Sequence, residues 1–294
     1  MSPAAQAARA QAWVRAMPVV FVLIWSTGFV VARLGMPHAP PFGFLAWRYA
    51  LSVALFVLWV RLSGARWPQG RSQALHLAVT GVLMHAGYLG GVWAAVKSGL
   101  GAGTTALIVG LQPLVTAIWL SLQGPAHRVS ARQWTGLVMG LGGLLLVVLH
   151  RLGAGQATSA NVALALGALA SITAGTLYQK RWVAPCDVRT AAVVQLSAAF
   201  IVTLPLALLE AEPMRWHPDL GLAMAWSVLA LTLGGSSLLY LLIQRGAATQ
   251  VTSLMYLVPP CTAALAWLLF GEPISATVVA GMVLTALGVG LVLR

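Results

Sequence analysis

Residues 250–269 read QVTSLMYLVPPCTAALAWLL, and residues 270–276 continue FGEPISA. A helix of about 20 apolar residues crosses a bilayer, so this stretch is long enough to span. It carries Pro259 and Pro260 at its centre. Proline lacks the backbone donor and clashes with the carbonyl four residues before it, so a helix here bends or breaks at membrane depth. Its polar residues Thr252, Ser253 and Tyr256 gather ahead of the prolines. A near copy lies 146 residues earlier, over Thr104–Gln123, with Pro113 in the place of Pro259. Broken helices at matching places in two halves of one chain point toward a secondary transporter.

The solvent for this chain is lipid. Of its 294 residues, 60% are hydrophobic and 7% charged, with mean hydropathy +0.88. Soluble domains carry about 25% charged residues. Ten segments are apolar enough to span: Met17–Gly35, Phe42–Val60, Leu75–Val96, Gly103–Leu122, Trp134–His150, Asn161–Leu177, Ala191–Leu209, Leu220–Ile243, Gln250–Phe270 and Thr277–Leu293. The first is too long for a signal-peptide core and lacks a clear cleavage site, so it reads as a retained helix. The net charge of +12 comes from basic residues scattered singly through the loops, which is no nucleic-acid surface. Counted loop by loop, twelve Lys and Arg fall on the side of the N-terminus and four on the other, with Arg48 inside a helix. An excess of Lys and Arg marks the cytoplasmic side. Both termini are therefore expected in the cytoplasm of a bacterial inner-membrane protein. Cys186 lies in a loop and Cys261 in a helix, too far apart to pair.

The two halves repeat almost without gaps. At an offset of 147, Gly28 aligns with Gly175, Arg33 with Lys180, Arg48 with Gln195, Gly87 with Gly234 and Gly99 with Gly246. The offset is 146 through the broken helices and 145 in the last ones, where Gly136 meets Gly281 and Gly143 meets Gly288. Five spans per copy is an odd number, so the second copy enters from the opposite side. The fold predicted is an all-α polytopic membrane protein of ten transmembrane helices in two inverted five-helix repeats. Residues 17–150 form the first repeat and 161–294 the second, with a cytoplasmic segment over 1–16 and a linker over 151–160. Inverted repeats place a substrate site at their interface near the midplane.

The run from Pro259 to Ile274, P-x-x-x-x-x-L-x-x-x-L-F-G-E-P-I, resembles the signature of the EamA family of the drug/metabolite transporter superfamily. Trp25-Ser26-x-Gly28-Phe29, Arg48-Tyr49 and the run Gly99–Pro113 carry the same resemblance. It covers essentially the whole chain and implies two inverted five-helix repeats and export of metabolites or drugs. Within the family the pair His85-x-x-Tyr88 is similar to the YddG-type amino-acid exporters. The first repeat departs from the pattern, with Gly124-Pro125-Ala126 where the second has Gly271-Glu272-Pro273.

The candidate site residues follow from helical spacing and depth. Gly81, His85 and Tyr88 share one face of the third span, with Met84 as a flexible neighbour. Ser237, Tyr240 and Gln244 share a face of the eighth, with Gly234 one turn earlier. Trp25 lies mid-span in the first helix, too deep for an interfacial belt. These residues, with Tyr256, are the expected substrate contacts. A midplane histidine bonded to a neighbouring helix, small-residue helix glue and a packed tryptophan are the competing structural readings. Arg48 and Lys97 lie near external helix ends, where snorkelling to headgroups competes with a role as gate or partner of a substrate carboxylate. Pro113, Pro259 and Pro260 are expected hinges, against the alternative of passive kinks.

No catalytic set appears. Gly99–Gly103 lacks the Walker lysine, and Gly234–Ser237 is no nucleophile elbow. No thiol pair or His/carboxylate cluster suggests a metal, and no cofactor is expected. The reading is a secondary exporter of small metabolites, amino acids foremost and aromatic ones as the narrower case, working by alternating access as a facilitator. Proton-coupled export of drugs or other metabolites is the alternative; an intramembrane enzyme would need a nucleophile with its base. The partners expected are a small molecule and the bilayer, for a monomer or weak oligomer. Every Asp and Glu lies in or beside a loop. His85 is the one central side chain of a type that titrates near neutrality. Desolvation disfavours a charged ring, so it is expected to be a hydrogen-bonding contact rather than a proton carrier.

Overall fold

The computed structural model describes residues 3–122, 130–153, 157–244 and 258–293. Ten helices follow one another. α1 is Pro3–Gly35 and α2 Pro41–Ser63. α3 comprises Arg71–Gly81, a π-helical turn at Val82–Gly87 and Tyr88–Lys97. α4 comprises Ala102–Val109 and Gln112–Leu122. α5 is Ala131–Gly153, α6 Ser159–Trp182 and α7 Val188–Leu209. α8 comprises Pro218–Trp226, a π-helical stretch at Ser227–Ser236 and Ser237–Gln244. α9 is described over Val258–Phe270 and α10 over Ala276–Leu293. Among the described residues, six helices are long and apolar enough to cross a membrane: Ala16–Gly35, Pro41–Ser63, Arg71–Lys97, Ser159–Trp182, Val188–Leu209 and Pro218–Leu242. α1 runs on through residues 3–16, and α5 and α6 extend into the expected linker from both sides.

Local chemistry sets the helix ends. Pro41 opens α2, where its missing N–H costs nothing. Gly64 closes α2 in the left-handed region at φ 62°, which suits a residue without Cβ. Thr158 and Asn161 form a reciprocal capping box at the start of α6. Asp187 caps α7 and pairs with Arg189 at 2.6 Å; that hydrogen-bonded guanidinium holds the Asp187 carboxyl below its ordinary pKa.

The repeat seen in the sequence is also a repeat of contacts. A Cβ added at Gly28 would meet Leu231 Cδ2 at 3.5 Å, and one at Gly175 would meet Met84 Cγ at 2.5 Å. Advancing Gly28 by 147 gives Gly175, and moving Leu231 back by 147 gives Met84. Gly87 faces Ser171, and its mate Gly234 faces Ile24, under the same exchange. α5 and α10 obey it at an offset of 145. A Cβ on Gly143 would come 2.5 Å from the carbonyl oxygen of Gly281, and one on Gly288 would come 2.5 Å from that of Gly136. Without hydrophobic drive between helices in lipid, such close backbone approach supplies the packing that holds them. Outside, Leu23, Leu58, Leu141, Ile201, Leu229 and Leu268 are exposed and apolar, as a lipid-facing surface requires. Inside, α1, α2 and α3 contribute a wholly buried aromatic set, Phe21, Phe44, Tyr49, Phe56 and Trp93.

Candidate functional site

The site is built where α3 and α8 leave regular geometry. Moving the π turn at Val82–Gly87 forward by 147 gives residues 229–234, inside the π stretch of α8. Such turns shift the hydrogen-bond register and gather at functional places. Here side chains take up the displaced carbonyls. Ser171 Oγ donates to Leu83 O at 2.8 Å, Tyr49 OH to His85 O at 2.8 Å, and Thr232 Oγ1 to Ser227 O at 2.8 Å. The α3 turn packs Met84 and His85 into the interior.

A cavity of about 420 Å³ opens there between the two repeats, lined by Trp25, Arg48, Met84, His85, Tyr88 and Leu231 among others. Two further lobes, of about 290 and 240 Å³, adjoin it. His85 and Ser236 line all three lobes; Gln195 and Tyr240 line the two smaller ones. One face is aromatic: Trp25 and Tyr88 stack with planes 2° apart and centroids 6.2 Å apart.

Arg48 is the charge in this cavity. Of the two readings left open for it, snorkelling to the headgroups does not fit its burial: it is 3% exposed. α2 begins at Pro41, so Arg48 lies two turns along the helix, and it turns toward α8 rather than along the surface. Its Nε donates to Thr232 Oγ1 at 3.0 Å, and among the described residues no carboxylate lies within ion-pair reach. A cation buried without a counter-ion is costly in a membrane interior.

The structure gathers Trp25, Met84, His85, Tyr88, Ser237 and Tyr240 around the lobes. Ser237 Oγ is buried with no hydrogen-bond partner among the described residues, while Tyr240 OH meets Cys186 Sγ at 2.9 Å. Tyr256 falls outside the described residues. Lys97 is elsewhere: its Nζ bonds Glu212 at 2.7 Å and Met36 O at 2.8 Å, tying α3 to the α7–α8 turn and the end of α1. α4 is interrupted at Gly110–Leu111, and Pro113 is the second residue of its second segment. Pro259 and Pro260 lie in the first turn of described α9, with Pro259 against Gly110.

An EamA-like transporter model matches residues 13–149 and again residues 160–294. The chain belongs to the EamA-like transporter family. It is a multi-pass membrane transporter, not an enzyme. The uncharacterized inner membrane transporter YedA of Escherichia coli is 26% identical over 260 residues, covering 86% of this chain and 81% of YedA. A probable amino-acid metabolite efflux pump of Salmonella typhimurium is 22% identical over 282 residues, covering 92% of each. One crystal structure superposes at TM-score 0.68 with 18% identity, over 94% of both chains, which shows a shared fold.

Three polar lining residues of this EamA-like transporter escaped the sequence: Gln179, Gln195 and Thr232. The repeat alignment held the signal for two of them. Gln195 is the mate of Arg48 and Thr232 the mate of His85, so the Arg48–Thr232 contact corresponds by symmetry to the meeting of Gln195 and His85.

The absence of any His/carboxylate cluster, expected from sequence, is also corrected. His38 from the α1–α2 turn and His217 and Asp219 from the start of α8 bring three potential ligand atoms within 4.8 Å of one another. The residues lie about 180 positions apart, so only the fold unites them. The geometry favours a tie over a metal centre. The imidazoles stack with planes 9° apart and centroids 4.1 Å apart, so a metal in the plane of one ring, where its lone pair points, lies outside the plane of the other. His217 Nδ1 also accepts the Asp219 backbone N–H as the cap of α8.

Proposed function

We propose that this transporter exports amino acids, aromatic ones included, across a bacterial inner membrane by alternating access of its two repeats. The observation that carries the reading is the cavity between the repeats, with one buried cation beside an aromatic and hydrogen-bonding wall. A carboxylate would pair with Arg48, and an apolar side chain would lie against Trp25, Met84 and Tyr88. The amino-acid efflux pump related to this chain supports the substrate class, and the positive-inside count supports cytoplasmic termini. The breaks at Pro113 and Pro259, with the π turns of α3 and α8, are the hinges of this reading.

Transport runs down the substrate gradient in this account, because no carboxylate is placed to carry a proton through the cavity. In proteoliposomes, labelled phenylalanine should show saturable counterflow that persists when an uncoupler collapses the proton gradient. Accumulation driven only by an imposed pH gradient, and lost with His85→Ala, would replace facilitated export with proton-coupled export.

A further inference from the structure

The chain has five acidic residues, and the structure accounts for each. Asp187 pairs with Arg189 at 2.6 Å at the start of α7. Glu210 accepts the backbone N–H groups of Phe42 and Gly43, at 3.1 and 2.7 Å, at the start of α2. Glu212 holds Lys97 at 2.7 Å. Asp219 sits with His38 and His217. Glu272 accepts from Ala102 N at 3.2 Å and lies 3.7 Å from Arg33. All five are held at helix ends or in turns, and none lines the lobe that holds Arg48 or the two that adjoin it through His85 and Ser236.

The cavity therefore offers a ligand one fixed positive charge and no negative one. A carboxylate gains the charge-assisted hydrogen bonds of the guanidinium. An ammonium gains no carboxylate, loses its water, and is repelled by Arg48. In an α-amino acid the ammonium adjoins the carboxylate. With the carboxylate about 4 Å and the ammonium about 6 Å from the guanidinium, the repulsion cancels about two-thirds of the attraction.

We infer that the site recognises an apolar monocarboxylate and leaves the α-amino group unread, so that amine-free and N-acylated acids are ligands on the same footing as amino acids. This rests on the cavity reading above and widens its substrate class. Arg48 sets the sign of the charge admitted; Trp25, Tyr88 and Met84 take the apolar body. Amines without a carboxylate are excluded.

The test uses the purified full chain with phenylalanine, 3-phenylpropionate, N-acetylphenylalanine and phenethylamine. Two readouts are taken: inhibition of labelled phenylalanine counterflow in proteoliposomes, and ligand-induced stabilisation against thermal unfolding in detergent. Both acids should inhibit at least as strongly as phenylalanine itself, and phenethylamine should be at least about 30-fold weaker. Both acids should also stabilise the wild-type protein and its Arg48→Lys variant. A correctly folded Arg48→Gln variant should lose the preference for acid over amine. If phenylalanine exchanges but both amine-free acids are at least about 30-fold weaker, the ammonium is read and the inference falls while amino-acid export stands. If phenylalanine gives no counterflow yet the acids stabilise the protein, export of amino acids falls and the monocarboxylate site stands. If neither acid stabilises the protein, the inference falls.

Discussion

The two walls of the cavity come from equivalent helices and carry different chemistry. The first repeat supplies Trp25, Arg48, Met84, His85 and Tyr88; the matching places of the second hold Ile172, Gln195, Leu231, Thr232 and Gly235, of which Gln195, Leu231 and Thr232 line the lobes. The backbones match closely, down to the paired glycine contacts of α5 with α10 and the π stretches of α3 and α8. The difference separates two jobs. Alternating access requires two copies of one backbone that can exchange conformations. Recognition requires an oriented ligand, and a symmetric lining would present two competing orientations. At these places the first repeat has kept the charge and the rings and the second has neutral residues without rings; the second repeat's own lining ring, Tyr240, faces only the two smaller lobes. At Gly235 a Cβ would meet Trp25 Cε3 at 3.6 Å and Ile24 Cγ2 at 3.2 Å.

Replacing a residue of the rich wall by its mate from the plain wall sharpens this comparison. His85→Thr should raise the half-saturating substrate concentration in counterflow by about 10-fold, the scale of one well-made hydrogen bond, with little change in melting temperature. A melting loss as large as the affinity loss would make His85 a packing residue. Smaller effects are expected where the two halves share a feature. Pro113→Ala and Pro259→Ala should each slow turnover by about 3-fold at unchanged half-saturation, as altered hinges do. Wild-type turnover in both variants would reduce the prolines to passive kinks and leave the bending to the π turns of α3 and α8.

Periodicity and repeats are legible in the sequence, because span length, glycine register and proline position are properties of local sequence. Trp25, His85 and Tyr88 are legible too, since a polar or aromatic side chain at mid-span stands out against an apolar background. The burial of Arg48 is not, because the sequence places the start of α2 within one residue of Pro41 but does not record that α8 packs over Arg48 through Thr232. The π turns leave no mark in hydropathy, as they change which carbonyls are free and not which residues are apolar. The meeting of His38, His217 and Asp219 depends on two turns brought together by the packing of α1 against α8, which no local pattern records.

The central claim is that a single cation, held at the interface of two copies of one backbone, anchors the substrate. Counterflow of labelled phenylalanine in Arg48→Gln and in the double exchange Arg48→Gln/Gln195→Arg tests it most directly. With folding checked by thermal unfolding, Arg48→Gln should lose at least about 30-fold in rate at low substrate, about 2 kcal/mol of lost pairing. The double exchange, which moves the cation to the symmetry-related place, should recover part of that loss. Counterflow within about 2-fold of wild type in folded Arg48→Gln would contradict the claim, because an uncompensated cation in a low-dielectric cavity cannot anchor a carboxylate and yet be dispensable.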